Sequence, residues 1–146
     1  MKSRVIFAAA YRNMMRQMIC GEDTISVEAN FDDPVNWPFT VKYSEYSYSK
    51  NHKEQVLHKI PMSLFKEIQQ IIESSKELVD SEEYIGVPES FDRRREYTLY
   101  FSCDLFSKKI CGPDVYSDVV VRETMKRIGY ALKDVDARIW SGGFKV

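Results

Sequence analysis

Residues 24–31, TISVEANF, alternate without a break: Ile25, Val27, Ala29 and Phe31 fall on one side, Ser26, Glu28 and Asn30 on the other. A side-chain period of two describes a strand with one dry and one wet face. Such a strand needs neighbours to pair with and a second layer to cover its dry side. The same rule predicts a strand from Phe39 to about Tyr48, its return in QVLHKI, and a second hairpin in EYTLYFSCDLFSKKICGP, ending at Gly112-Pro113. With a two-residue turn at Asp104-Leu105, that hairpin sets Cys103 against Phe106, Tyr100 against Lys109 and Cys111 against Thr98.

The stretch VKYSEYSYSK (41–50) tests the alternation. Phe39, Val41 and Tyr43 are odd-numbered, whereas Tyr46 and Tyr48 are even-numbered, so five residues cannot share one face at period two. A bulge near Ser44 or Glu45 would restore the phase and is expected here. Without one, Tyr46 and Tyr48 point away from the core. Either way Tyr43 is expected buried, with the Tyr46 and Tyr48 hydroxyls at the surface.

Three helices are expected on one face of the sheet. Pro61 and Ser63 introduce one over residues 62–74, with Leu64, Phe65, Ile68, Ile71 and Ile72 in line. Ser117 is the expected cap of another, through residue 133, carrying Val121, Met125, Ile128 and Leu132. Phe7, Tyr11, Met14, Met15 and Met18 recur at mostly three- and four-residue steps, which predicts the third helix between Arg4 and Ile19, closed by Gly21. Val5 to Ala10 is apolar all round, and there a strand is the alternative. DDPVNWP is a loop by its two prolines, residues 75–95 a polar connection with a helical turn near Leu78, and the tail turns at Gly142-Gly143 with room for a short edge strand. The expected fold is α+β: one domain over 1–146, an antiparallel sheet from two hairpins with about three helices packed on it.

Hydrophobic residues at 44 % and charged residues at 29 % suit a globular chain rather than a disordered one, and the formal net charge of −1 predicts no general attraction to nucleic acid or anionic membrane. Val5 to Tyr11 is too short an apolar run for a signal peptide before Arg12 interrupts it. Cys20, Cys103 and Cys111 are an odd number without metal-ligand spacing. These features predict a cytoplasmic protein with no membrane partner, no disulfide, no metal and no cofactor.

No motif specifies a reaction. Cys103 and Cys111 lie on opposite faces of their hairpin, too far apart to bridge. Nothing brings His52 or His58 to a nucleophile, and no second carboxylate is spaced to complete a metal set with them and Glu54. Asp80, Glu82 and Glu83 read as a solvated run. The binding candidates are the aromatic pair Tyr46 and Tyr48, the basic run Arg93, Arg94 and Arg95, and Tyr100 with Lys109 across the second hairpin. Tyrosine and arginine are enriched at protein interfaces. The expectation is therefore a small, non-enzymatic protein-binding module of the inhibitor, immunity or adaptor kind. A homodimer is compatible with it, and small size without motif also suits a phage or mobile-element protein. The alternative is a nucleotide or single-stranded nucleic-acid binder using Arg93–Arg95 and the sheet tyrosines, since guanidinium groups beside aromatics clamp phosphates and stack bases.

Overall fold

The computed structural model describes residues 3–15, 18–31, 37–87, 94–139 and 144. Its centre is a six-stranded antiparallel sheet in the order β4-β3-β2-β1-β5-β6. The strands are β1 (Ser3–Met15), β2 (Met18–Asn30), β3 (Phe39–Ser47), β4 (His52–Lys59), β5 (Arg94–Ser102) and β6 (Ser107–Gly112). Among the described residues there are two α-helices, α1 (Met62–Glu73) and α2 (Val119–Leu132), with single turns of 3₁₀ helix at Lys76–Asp80, Val115–Ser117 and Ala137–Ile139. No helix among them is long and apolar enough to cross a membrane.

The expected N-terminal helix is a strand, which is why there are two α-helices rather than three. Phe7, Ala9 and Tyr11 face the helices, and Ala8, Ala10 and Arg12 face the other way. Alanine on the uncovered side made the segment look apolar all round and hid its alternation; pairing on both flanks overrides alanine's helical preference. The register slips between Val5 and Phe7, where Ile6 is inserted, and both Ile6 and Phe7 are buried. Gly21, expected as a helix cap, lies inside β2 opposite Asn13 and Ser47.

The bulge expected near Glu45 is absent: β3 pairs residue for residue from Phe39 to Ser47 with β2, and from Thr40 to Ser47 with β4. Tyr43 is therefore buried, while Tyr46 projects from the opposite face and is exposed, as is Tyr48 beyond the strand end. The second hairpin has the predicted register, Tyr100 opposite Lys109 and Thr98 opposite Cys111, with Cys103 donating its backbone N–H to Phe106 O at 2.9 Å. All three cysteines are free thiols.

On the covered face, Phe7, Val27, Val41 and Phe101 form one row and Ala9, Ile25, Tyr43, Leu99 and Ile110 the next. Ile68 and Ile72 of α1 and Met125, Ile128 and Leu132 of α2 complete this core. Asp118, not Ser117, caps α2: its carboxylate accepts from Val120 N at 2.9 Å and Val121 N at 3.1 Å. Ser117 lies in the preceding turn and donates to Asp114 O. In the tail, Ala137–Ile139 forms a helical turn rather than an edge strand, and Phe144 is buried. Trp140 and Gly142-Gly143 lie outside the described residues, as does most of DDPVNWP.

Candidate functional site

Both helices lie on one side of the sheet, so the other side is open. Its floor is built of small side chains because alternate residues of the two central strands are small: Ala8 and Ala10 on β1, Thr24 and Ser26 on β2. Ser44 and Thr98 extend this floor on the flanking strands, and Lys42, Gln55 and Tyr100 stand around it, enclosing a shallow depression of about 270 Å³. Thr24 and Ser44 are hydrogen-bonded across the strands. Arg12 bonds to Glu22 and also reaches Thr98 Oγ1 at 3.4 Å, and Lys42 pairs with Glu28 at 2.9 Å. Hydroxyls, an amide and a lysine in a trough of this size can hydrogen-bond to a docked chain or anion.

The open face is richer in cations than the chain as a whole. Arg12, Lys42, Lys53, Lys59, Arg94 and Lys109 occupy it against Glu22, Glu28 and Glu96, on a chain with formal net charge −1.

At one end of the sheet, β1 and β2 run past their neighbours. The last pair to β5 is Met14 with Arg94, and the last to β3 is Gly21 with Ser47, so Met15, Met18 and Ile19 continue beyond them. These side chains are 46 %, 53 % and 37 % exposed. Tyr48 donates its backbone N–H to Cys20 O at 2.9 Å, which lays the end of β3 beside the hairpin tip. Tyr48 is 60 % exposed and Tyr46 37 %. Met15 pairs with Met18 and Met14 with Ile19, so the two exposed methionines project from one face of the tip, and Ile19 from the face that carries Tyr46.

The sequence candidates are thus partly gathered. Tyr46 and Tyr48 belong to the tip patch. Tyr100 and Lys109 are cross-strand neighbours on the open face; Tyr100 lies three strands from Tyr46, about 14 Å sideways, and four residues, about 13 Å, along the strands, with Lys109 one strand further. Arg94 and Arg95 point to opposite faces because they are consecutive in β5, so only Arg94 shares the face of Tyr100. Arg93 lies outside the described residues. The residues that sequence reading missed are Met15, Met18 and Ile19, absorbed into a helical stripe, and the small-residue floor.

A second polar cluster lies on the covered face where the helices stop. Arg138 donates to both oxygens of Asp136, from Nε at 2.9 Å and Nη2 at 2.6 Å, and His58 Nε2 lies 3.0 Å from Asp136 Oδ2. The Arg138 guanidinium holds the Asp136 carboxyl well below the usual range, helped by His58. The same guanidinium stacks over the Tyr43 ring, 4.5 Å from its centroid, and reaches Glu45 and Glu54. Asp23, opposite Glu45 in the sheet, is pushed upward by burial and by the neighbouring Glu45 and Glu22. Among the described residues, the donor set able to hold a metal ion is Glu45, His52 and Glu54.

No family model matches the chain. No curated protein matches it either.

Proposed function

We propose that this protein is a non-enzymatic binding module of the inhibitor, immunity or adaptor kind, engaging a protein partner through the end of the sheet where the β1–β2 tip meets the end of β3. The observation that carries the reading is the exposure of Met15, Met18 and Ile19 at the β1–β2 tip, with Tyr46 and Tyr48 exposed at the adjoining end of β3. Beyond Met14 and Gly21 the two strands pair with each other and carry these side chains out past the ends of β5 and β3. The small-residue trough behind the tip leaves space for a partner's side chains along the sheet.

The test is affinity capture from cells of the source organism with the wild type and a Met18→Ser/Tyr48→Ser double variant. The variant is expected to keep the wild-type melting temperature and lose its protein partner, with about 2 kcal/mol or more lost per central residue. A partner retained equally by both proteins would refute the use of this patch.

The cation surplus of the open face, with Tyr100 beside Lys109, favours a second reading: a nucleotide or single-stranded nucleic acid lying on the sheet. Tyr100→Ala and Lys109→Ala would then weaken binding of a labelled oligonucleotide, with a salt dependence that becomes shallower in the lysine variant. Oligonucleotide binding lost in these variants, with no protein recovered in the capture, would put this reading first.

A further inference from the structure

We propose that Glu45, His52 and Glu54 form a binding site for a divalent transition-metal ion of the zinc class, with Arg138 behind it fixing the two carboxylates. The β3–β4 register places Glu45 directly opposite Glu54, and His52 two residues further on the same face, opposite Ser47. This supplies the second carboxylate that sequence spacing did not: Glu45 and Glu54 are distant along the chain and adjacent across the hairpin. Like charges facing each other in an antiparallel pair are unfavourable unless something holds them.

Each carboxylate is used from two sides. Its Oε1 faces inward: Arg138 Nη1 lies 3.6 Å from Glu45 Oε1 and 3.1 Å from Glu54 Oε1, and the Tyr43 hydroxyl donates to Glu45 Oε1 at 3.1 Å. Its Oε2 faces His52, and His52 Nε2 lies 3.7 Å from both Oε2 atoms. At 3.7 Å neither contact is a hydrogen bond. The three donor atoms instead surround a gap, all within 4.8 Å of one another. Donors bound tetrahedrally at about 2.1 Å from zinc stand about 3.4 Å apart, so the two His52 contacts need to close by about 0.3 Å and the two carboxylate oxygens by at most about 1.4 Å.

The surroundings match what such sites need. Ligand carboxylates are held by outer partners, here Arg138 and Tyr43, with Arg138 itself anchored by Asp136 and Asp136 by His58. Arg138 is shared with Asp136, so it does not neutralise Glu45 and Glu54 fully, and Asp23 in the same row adds to the negative field there. The His52 and Glu54 side chains are 49 % and 44 % exposed, which leaves the remaining coordination positions to water. One imidazole nitrogen and two carboxylate oxygens, without sulfur, suit Zn²⁺, Ni²⁺ or Co²⁺ rather than Cu⁺. The imidazole disfavours Mg²⁺ and Ca²⁺, which take oxygen ligands.

The test is calorimetric titration of the metal-stripped full chain with Zn²⁺, repeated with Co²⁺ by visible absorption. One equivalent is expected to bind saturably, to raise the melting temperature, and to persist in a large excess of Mg²⁺. His52→Ala and Glu54→Gln, both half-exposed and expected to fold normally by circular dichroism, should each weaken binding at least about tenfold. Cys20→Ser serves as the control and should leave affinity unchanged. Absence of saturable binding would overturn the proposal. So would a Co²⁺ spectrum with thiolate charge-transfer bands, or affinity that survives His52→Ala and falls in Cys20→Ser.

Discussion

Tyr43 and Tyr46 stand three positions apart in one strand and live in different solvents. Tyr43 is 4 % exposed under the Arg138 guanidinium, whereas Tyr46 looks out from the open face. Replacing Tyr43 with Ala is expected to cost about 3–5 kcal/mol, the scale of deleting a buried aromatic. Tyr46→Ala should stay within about 0.5 kcal/mol. Urea denaturation of the two variants checks both values. Parity alone made this division readable in the sequence, but the bulge that would have merged the two tyrosines was an attempt to save a common face that the protein does not build. The acidic residues behave oppositely to each other. Asp136 has a folded pKa below its unfolded value, so its ionised, paired form contributes stability that is present above about pH 4 and lost as the pH falls further. Asp136→Asn should therefore lower the melting temperature at pH 7 and flatten its decline in acid. Asp23 is raised, so the cost of its charge builds up as the pH rises from its unfolded to its folded value, is fully present above that, and disappears on acidification. Asp23→Asn is expected to raise the melting temperature at pH 7 and to have no such effect near pH 3. Neither shift was legible in the sequence, because each depends on which charges the register and the C-terminal turn bring together.

At the level of elements, the second hairpin and both α-helices could be read directly, since turn residues and periodicity agreed there. The segment from Arg4 to Ile19 could not, because alanine satisfies both the helical and the extended pattern. The edge at β6 was hidden for a different reason. Glu83 O accepts from Cys111 N at 2.8 Å and Cys111 O from Ile85 N at 2.9 Å, so a stretch with no strand pattern pairs with β6 through its backbone. Gly112 makes this approach possible. Its φ of +127° and a distance of 2.1 Å from an added Cβ to Ile85 O leave no place for a side chain. Gly112→Ala is expected to destabilise the protein by more than about 2 kcal/mol, from backbone strain and loss of the 83–85 pairing together. Amide exchange should show Ile85 and Cys111 losing protection first.

For the whole molecule, the two sides of the sheet have separate tasks. The covered side holds the core and, past the ends of the helices, the Glu45–His52–Glu54 cluster. The open side offers a trough of small residues, cations and an apolar tip. The free thiols imply that a reductant leaves the melting temperature unchanged within about 1 °C. A sheet with one covered face was legible in the sequence as an architecture. Which residues share the open face was not, since that follows from the neighbours each strand acquires.

The central place of β1 bears on how the chain is made. On the ribosome β1 emerges before β2, β3 and β4, a meander that can pair with it step by step. Its other flank must wait for β5: Phe7 pairs with Phe101 and Ala9 with Leu99. At about 5–20 residues per second, the growing chain carries the unpaired edge of FAAAY for roughly 5–20 s before its partner is synthesised. An edge left open to aggregation in the nascent protein is therefore closed on both flanks in the finished fold.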